Sequence, residues 1–297
     1  DLHYSLHSFP TRRSSNLVIG AEGTLGIITA AVLKLRPKPQ AYATAMVAVP
    51  SLADALTLLH RLQDETGGGV EAFEYMPRSY IDKHRQLFKD SQLPFDAEYD
   101  VNIMIEVAAT MARDAVPNPD GSLPVVTALE ETLGQMLDEG TVLDAVIAQN
   151  ETQRRAIWKR REDAGEVAFF GGVFVNTDVA LPLDKIAAFE AMLTPRIKAI
   201  DPDASEVIVA HLGDGNIHHT SYISRNDPAA MDALVEAVED VVQELGGSFS
   251  AEHGIGVSKL ETMKRRKDPV ALDAMRAIKA ALDPNNILNP GKVIPAR

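Results

Sequence analysis

Apolar positions along this chain recur at two periods, and the switching between them lays out its elements. Residues 43–49 alternate and branch like a strand. Residues 51–64 then read as a helix, with Ser51 as N-cap and Leu52, Leu56, Leu59 and Leu62 on its inner face. Strand character returns at 70–76, 101–108, 142–148 and 173–179, and helical character at 123–138, 151–169 and 182–199. Residues 206–223 read as strand, tight turn, strand. The clearest helix follows: Asp227 caps it, Pro228 opens it and Gly246-Gly247 stops it. Its stripe of Met231, Leu234, Val235, Val238, Val241, Val242 and Leu245 keeps the 3.6-residue period. A second such helix starts at Asp268-Pro269 and is expected to bury Leu272, Met275, Ile278 and Leu282. Upstream, a Gly-rich turn, I-G-A-E-G-T-L-G, leads into an apolar run at 27–35 that reads as a strand, and Arg36-Pro37-Lys38-Pro39 ends it. Strands joined by long, helix-forming connections predict an α+β fold, a sheet with helices packed on it.

Composition narrows the chemistry. Of 297 residues, 45% are hydrophobic, enough for a real core, and no apolar run reaches the roughly 18 residues of a membrane span. The net charge of −13 argues against nucleic acid as a partner, because the average surface would repel it. No signal-peptide pattern is present, so a cytoplasmic location is expected, with peripheral attachment at the inner membrane allowed. The chain has no Cys, which removes disulfides, thiolate metal sites and thiol nucleophiles together. Residues 1–16 lack both periods and carry a single carboxylate; they read as a non-native leader.

Four of the eight His fall between 211 and 253. In A-H-L-G-D-G-N-I-H-H-T, Asp214-Gly215 is a strong hairpin signal. A two-residue loop there would pair 213 with 216, 212 with 217 and 211 with 218. His211 and His218 would then lie opposite each other on one face, close enough to share a metal ion. Alternation puts Thr220 on that face and His219 on the other. In S-F-S-A-E-H-G-I-G, Glu252 and His253 both serve one site only if the chain bends, which Gly254 and Gly256 permit. Two His and a Glu suit zinc, manganese or ferrous iron. Spacing alone leaves open a cross-strand His pair that holds no metal. Arg154, Trp158 and Arg161 share a helix face, but among Arg155, Lys159 and Arg160 the pattern alone favours a solvated basic helix.

The motifs I-G-A-E-G-T-L-G-I-I-T, H-L-G-D-G-N-I-H, A-E-H-G-I-G and N-P-G-K occur in that order. Together they resemble the FAD-linked 2-hydroxy-acid dehydrogenases, a group that includes D-lactate and D-2-hydroxyglutarate dehydrogenases and the flavin subunit of glycolate oxidase. The resemblance runs from Leu17 to about Ile294. It implies the end of a vanillyl-alcohol-oxidase-type FAD-binding domain followed by a substrate domain, an antiparallel sheet flanked by helices. It makes His211, His218 and Glu252 ligands of one divalent metal and His253 the catalytic base. Arg161 would bind the substrate carboxylate, with Thr220 a further substrate contact. Glu22, Gly23 and Gly26 would line the flavin, and Asn289 would lie in the segment returning to it. The reaction implied is oxidation of a D-2-hydroxy acid to the 2-oxo acid. Its electrons would pass to a quinone, a cytochrome or an electron-transfer flavoprotein, and a homodimer is allowed for.

The expected division is therefore a remnant of the FAD domain at 17–37, a substrate and metal domain at 38–282, and a returning segment at 283–297. The family's N-terminal half, with the loop cradling the FAD pyrophosphate, is missing, so turnover by this chain alone is not expected. Some relatives have Thr where this chain has Gly165, and Lys or His where it has Asn176, while Thr220 stands where hydroxyglutarate enzymes have Asn. Those changes favour a monocarboxylic substrate. Two other readings account for the His and Glu residues: a metal-dependent hydrolase, and a metal-binding fragment without catalysis. The first leaves E-G-T-L-G and N-P-G-K without a role, and the second keeps them only as packing.

Overall fold

The computed structural model describes residues 17–296; the leader expected at 1–16 lies outside them. Residues 36–248 form one compact unit, and the rest of the described chain, 17–35 with 249–296, forms another.

The larger unit is built on seven strands: β1 (Ala41–Val49), β2 (Val70–Pro77), β3 (Val101–Ala109), β4 (Asp144–Ile147), β5 (Val173–Ala180), β6 (Ser205–His211) and β7 (Asn216–Ile223). They pair antiparallel in the order β4-β1-β3-β2-β6-β7-β5. Strands β1 and β3 are buried on both faces, so their sequences are nearly continuous apolar runs. The α+β expectation holds, with helices on both sides of an antiparallel sheet.

One face carries the larger core, under α1 (Leu52–Thr66), α3 (Pro124–Asp138), α6 (Ile186–Ile200) and α7 (Pro228–Glu244), with Leu58, Leu59, Phe189, Leu193, Leu234 and Val241 at its centre. Their ends follow the expected chemistry. Ser51 Oγ accepts the Asp54 amide at 3.2 Å, and Asp227 accepts the amides of Ala229 and Ala230 at 3.0 and 3.3 Å. The other face carries a smaller cluster, including Met46, Met76, Tyr80, Met104 and Ile157, under α2 (Arg78–Leu87), α4 (Glu151–Glu162) and α5 (Ala164–Ala168).

Several expectations change. The helix read across 151–169 stops at Glu162 and restarts at Ala164. At the break Asp163 turns inward and accepts from His84 and Lys159, at 3.0 and 2.7 Å. Residues 27–35 form no strand: no described strand pairs with them, and Ile27, Val32 and Leu33 are exposed. The chain from Phe249 onward packs with the N-terminal turn in the smaller unit. In that smaller unit lie α8 (Leu260–Arg266) and α9 (Pro269–Leu282). Helix α9 buries Leu272, but its expected apolar stripe is not covered, since Ile278 is 37% and Leu282 50% exposed. Among the described residues no helix is long and apolar enough to cross a membrane.

Candidate active site

On the α2/α4/α5 face, the larger unit lines up four titratable side chains across neighbouring strands: Glu74 on β2, His211 on β6, His218 on β7 and Asp178 on β5. The hairpin register differs from the expected one by two residues. His211 pairs with Asn216, and His218 with Val209. The loop is longer because Leu212 is buried and its amide binds the Phe73 carbonyl at 2.8 Å, while the Asp214 and Gly215 amides both return to the His211 carbonyl. Asp214 Oδ1 then caps the Asn216 amide at 3.1 Å. A shift of two preserves the face, so His211 and His218 are diagonal neighbours with ring centroids 5.3 Å apart, edge to face.

Each imidazole has a carboxylate at its Nδ1. His211 Nδ1 lies 2.9 Å from Glu74 Oε1, and His218 Nδ1 lies 3.4 Å from Asp178 Oδ1. Arg161 donates from Nε to Glu74 Oε2 at 2.6 Å, and its Nη2 lies 3.2 Å from His211 Nε2. Burial alone would push the Glu74 carboxyl up, but the His211 hydrogen bond and the Arg161 charge outweigh it and hold it below the ordinary range.

The helix carrying Arg161 is docked by carboxylate bonds. Arg154 grips Glu106 through two nitrogens at 2.8 and 2.7 Å, and Trp158 Nε1 donates to the same carboxylate at 2.7 Å. Thus Arg154, Trp158 and Arg161 all face the sheet, rather than forming a solvated basic face. Glu74 and Glu106 were missed in the sequence. Their one signal was a carboxylate inside an otherwise apolar strand, E-A-F-E-Y-M and I-M-I-E-V.

Thr220 lies two residues beyond His218 on the same face, buried, and its hydroxyl accepts from Asn176 Nδ2 at 2.8 Å. His219 points to the other face, fully buried, with Nε2 3.1 Å from Glu206.

The smaller unit holds the remaining motif residues. The Glu22 carboxylate accepts the Ile255 and Gly256 amides at 2.7 and 2.8 Å, directly after Glu252 and His253. Gly254, at φ 71°, belongs to the same turn, and a Cβ there would come within 2.8 Å of Glu22 Oε1. Asn289 Nδ2 donates to the Glu22 carbonyl at 2.6 Å, and Lys279 Nζ to the carbonyls of Thr24 and Leu288 at 2.9 and 2.6 Å. Three distant motifs therefore meet on the turn that follows His253. A Cβ at Gly26 would meet nothing within 4 Å, which leaves that backbone accessible.

Comparison with known proteins gives the family. The family model "FAD linked oxidases, C-terminal domain" matches residues 38–293. The chain belongs to this family. Among relatives of this FAD-linked oxidase domain, D-2-hydroxyglutarate dehydrogenase of Stutzerimonas stutzeri (strain A1501) is 30% identical, covering 94% of this chain and 58% of that protein. The mitochondrial D-2-hydroxyglutarate dehydrogenase of Bos taurus is 34% identical, covering 94% and 49% respectively. The chain thus spans about half the length of the curated relatives it matches. Among solved structures, alkyldihydroxyacetonephosphate synthase has a similar fold, with TM-score 0.56 and 15% identity over 93% of this chain and 48% of that one. p-Cresol methylhydroxylase with substrate bound gives TM-score 0.55 and 13% identity, over 86% and 53%. At such identities these two speak for the vanillyl-alcohol-oxidase-type fold alone.

Proposed function

We propose that this chain supplies the metal- and substrate-binding part of an FAD-dependent enzyme that oxidises a D-2-hydroxy acid to the 2-oxo acid. The observation that carries the reading is the His211–His218 pair, each ring backed by a carboxylate at Nδ1, with Arg161 beside it. That donor set fits a divalent ion: a carboxylate behind an imidazole fixes its tautomer and leaves Nε2 as the lone-pair nitrogen, the one that Arg161 Nη2 approaches at His211 and that would ligate the ion. The motif A-E-H-G-I-G supports Glu252 as a further ligand and His253 as the base that takes the hydroxyl proton. Arg161, bound through Nε, retains a guanidinium charge for the substrate carboxylate, and Thr220 offers a hydroxyl two residues along the strand. For the flavin, Gly23 and Gly26 offer accessible backbone, whereas Glu22 and Asn289 act by holding the turn after His253.

FAD, when bound, supplies the acceptor for the hydride leaving C2, and a divalent metal supplies charge that favours the ionised hydroxyl. The protein's own part is to orient the carboxylate at Arg161 and to receive the proton at His253. An electron acceptor such as a quinone, a cytochrome or an electron-transfer flavoprotein completes the cycle. The names of the relatives, D-2-hydroxyglutarate dehydrogenases, accord with this reaction class.

Metal analysis of purified protein tests the reading. About one divalent ion per chain is expected, lost in His211→Ala and in His218→Ala and retained in His219→Ala, whose side chain faces the opposite core. Full metal content in both of the first two variants would overturn it.

A further inference from the structure

The face that carries His211 and His218 continues along β7. Alternation puts His218, Thr220 and Tyr222 in one row, and the β5 residues Asp178, Asn176 and Phe174 lie opposite them in turn. Above the far end of this row stands Lys83, on α2, with its Nζ 3.0 Å from the centre of the Tyr222 ring. The ring is itself fixed, because the Tyr222 hydroxyl donates to the carbonyls of Val167 and Ala168 at 3.0 and 2.8 Å. Lys83 is half-buried, and burial lowers its ammonium to about 8 without any carboxylate contributing. Its neighbour Asp82 is engaged with Arg78, at 3.5 Å. An aromatic face is a weak counterpart for an ammonium ion, so Lys83 stands as a cation held in place for an anion still to come.

The row's polarity fits a ligand lying along it. One end has Arg161 and the imidazoles, the middle has the Thr220–Asn176 hydroxyl and amide, and the far end has Lys83. From residue 218 to residue 222 the strand advances about 13 Å. A short dicarboxylate covers that length with one coordination or hydrogen-bond contact at each end. A monocarboxylate of similar size would leave the Lys83 end unanswered.

We propose that Lys83 is the second anion-binding point of this site and makes it select a dicarboxylic over a monocarboxylic 2-hydroxy acid. The inference rests on the site reading given under Proposed function, and it reverses the preference expected from Gly165, Asn176 and Thr220. In this arrangement the cation that Asn176 does not provide from β5 comes from α2 instead. Lys83 determines specificity and takes no part in moving the proton or the hydride.

The test is the ratio of kcat/KM for 2-hydroxyglutarate to that for lactate in the FAD- and metal-loaded enzyme. Lys83→Met is expected to lower that ratio about 10- to 100-fold, with the loss falling on KM, whereas Lys83→Arg keeps the wild-type ratio. A second measurement needs no turnover. In the wild-type chain, 2-oxoglutarate is expected to shield Lys83 from an amine-labelling reagent, read by peptide mapping, while pyruvate at the same concentration leaves it labelled. An unchanged ratio in Lys83→Met, or equal labelling with either acid, overturns the role of Lys83 alone. An enzyme that oxidises neither hydroxy acid overturns the site reading itself, and the inference falls with it.

Discussion

Glu74 is where stability and site chemistry meet, and replacing it separates the two. Its carboxylate holds Arg161 at 2.6 Å and His211 at 2.9 Å, and the Arg161 and Glu74 side chains are only 12% and 9% exposed. At such burial solvent screens the pair little, and removing one partner strands the other. Breaking a buried pair of this kind costs about 3–5 kcal/mol, and the lower end applies here because Arg161 keeps some contact with water. For a unit of this size, about 3 kcal/mol corresponds to a fall in Tm of roughly 6–12 °C in Glu74→Ala. The second consequence is chemical. Without its partner at Nδ1, His211 is no longer held in one tautomer and orientation, and metal affinity is expected to fall about 10- to 100-fold.

Thermal melts and chelator-competition titrations measure the two effects independently. Glu106→Gln is the control, since Glu106 docks the same helix through Arg154 and Trp158 without touching His211. It is expected to lower Tm and leave metal affinity alone. If Glu74→Ala behaves like Glu106→Gln, the carboxylate serves only to dock α4. If neither Tm nor affinity moves, the reasoning from burial is wrong altogether.

Two further outcomes follow from other carboxylates. Glu22→Ala removes the acceptor of the Ile255 and Gly256 amides, so hydrogen exchange at those two sites should speed up at least about tenfold, and unchanged exchange would remove Glu22 from the support of that turn. Glu190, on α6, is pushed up to about 7 by burial, so its folded form keeps a proton that the unfolded chain releases near 4.5. Its contribution to stability is therefore full below about pH 4 and is lost as pH rises to about 7; Glu190→Gln should flatten the pH profile of urea stability between those values, and an unaltered slope would contradict this.

How much of this could be read from the sequence depended on how local the deciding forces were. Ser51 and Asp227 announced their helices because a cap is a bond between residues two or three apart, and both caps are found. The His211 and His218 face was legible because strand alternation has a period of two, and an error of two leaves it intact. The register was not legible. Asp214-Gly215 suits a two-residue loop, but the competing force is the Leu212 amide bonding to Phe73, more than a hundred residues away. Helix α2 gave no signal, since R-S-Y-I-D-K-H-R-Q-L is too polar and too short to show a stripe. Its inward residues, Tyr80, Ile81 and His84, are understood only with the sheet beneath them.

The same distinction explains which parts of the chemistry were visible. Side chains that would touch a metal or substrate stand in recognisable clusters, because several must act at once. The groups that hold them do not. Glu74 lies 137 residues before the imidazole it orients, and Glu22 lies 233 residues before the first amide it caps. Asp178 reaches His218 from the neighbouring strand in the same way. Each of these carboxylates is placed behind a functional residue or its turn; Glu74 and Glu22 accept N–H bonds there and restrict the group in front of them, and Asp178 stands 3.4 Å from His218 Nδ1. Such a carboxylate contributes most where water is scarce, because each bond it makes is then stronger and each loss leaves an unpaired donor. Both compact units use this arrangement within their own contacts. The holding carboxylates are therefore where a substitution distant in sequence should change the chemistry without touching a ligand.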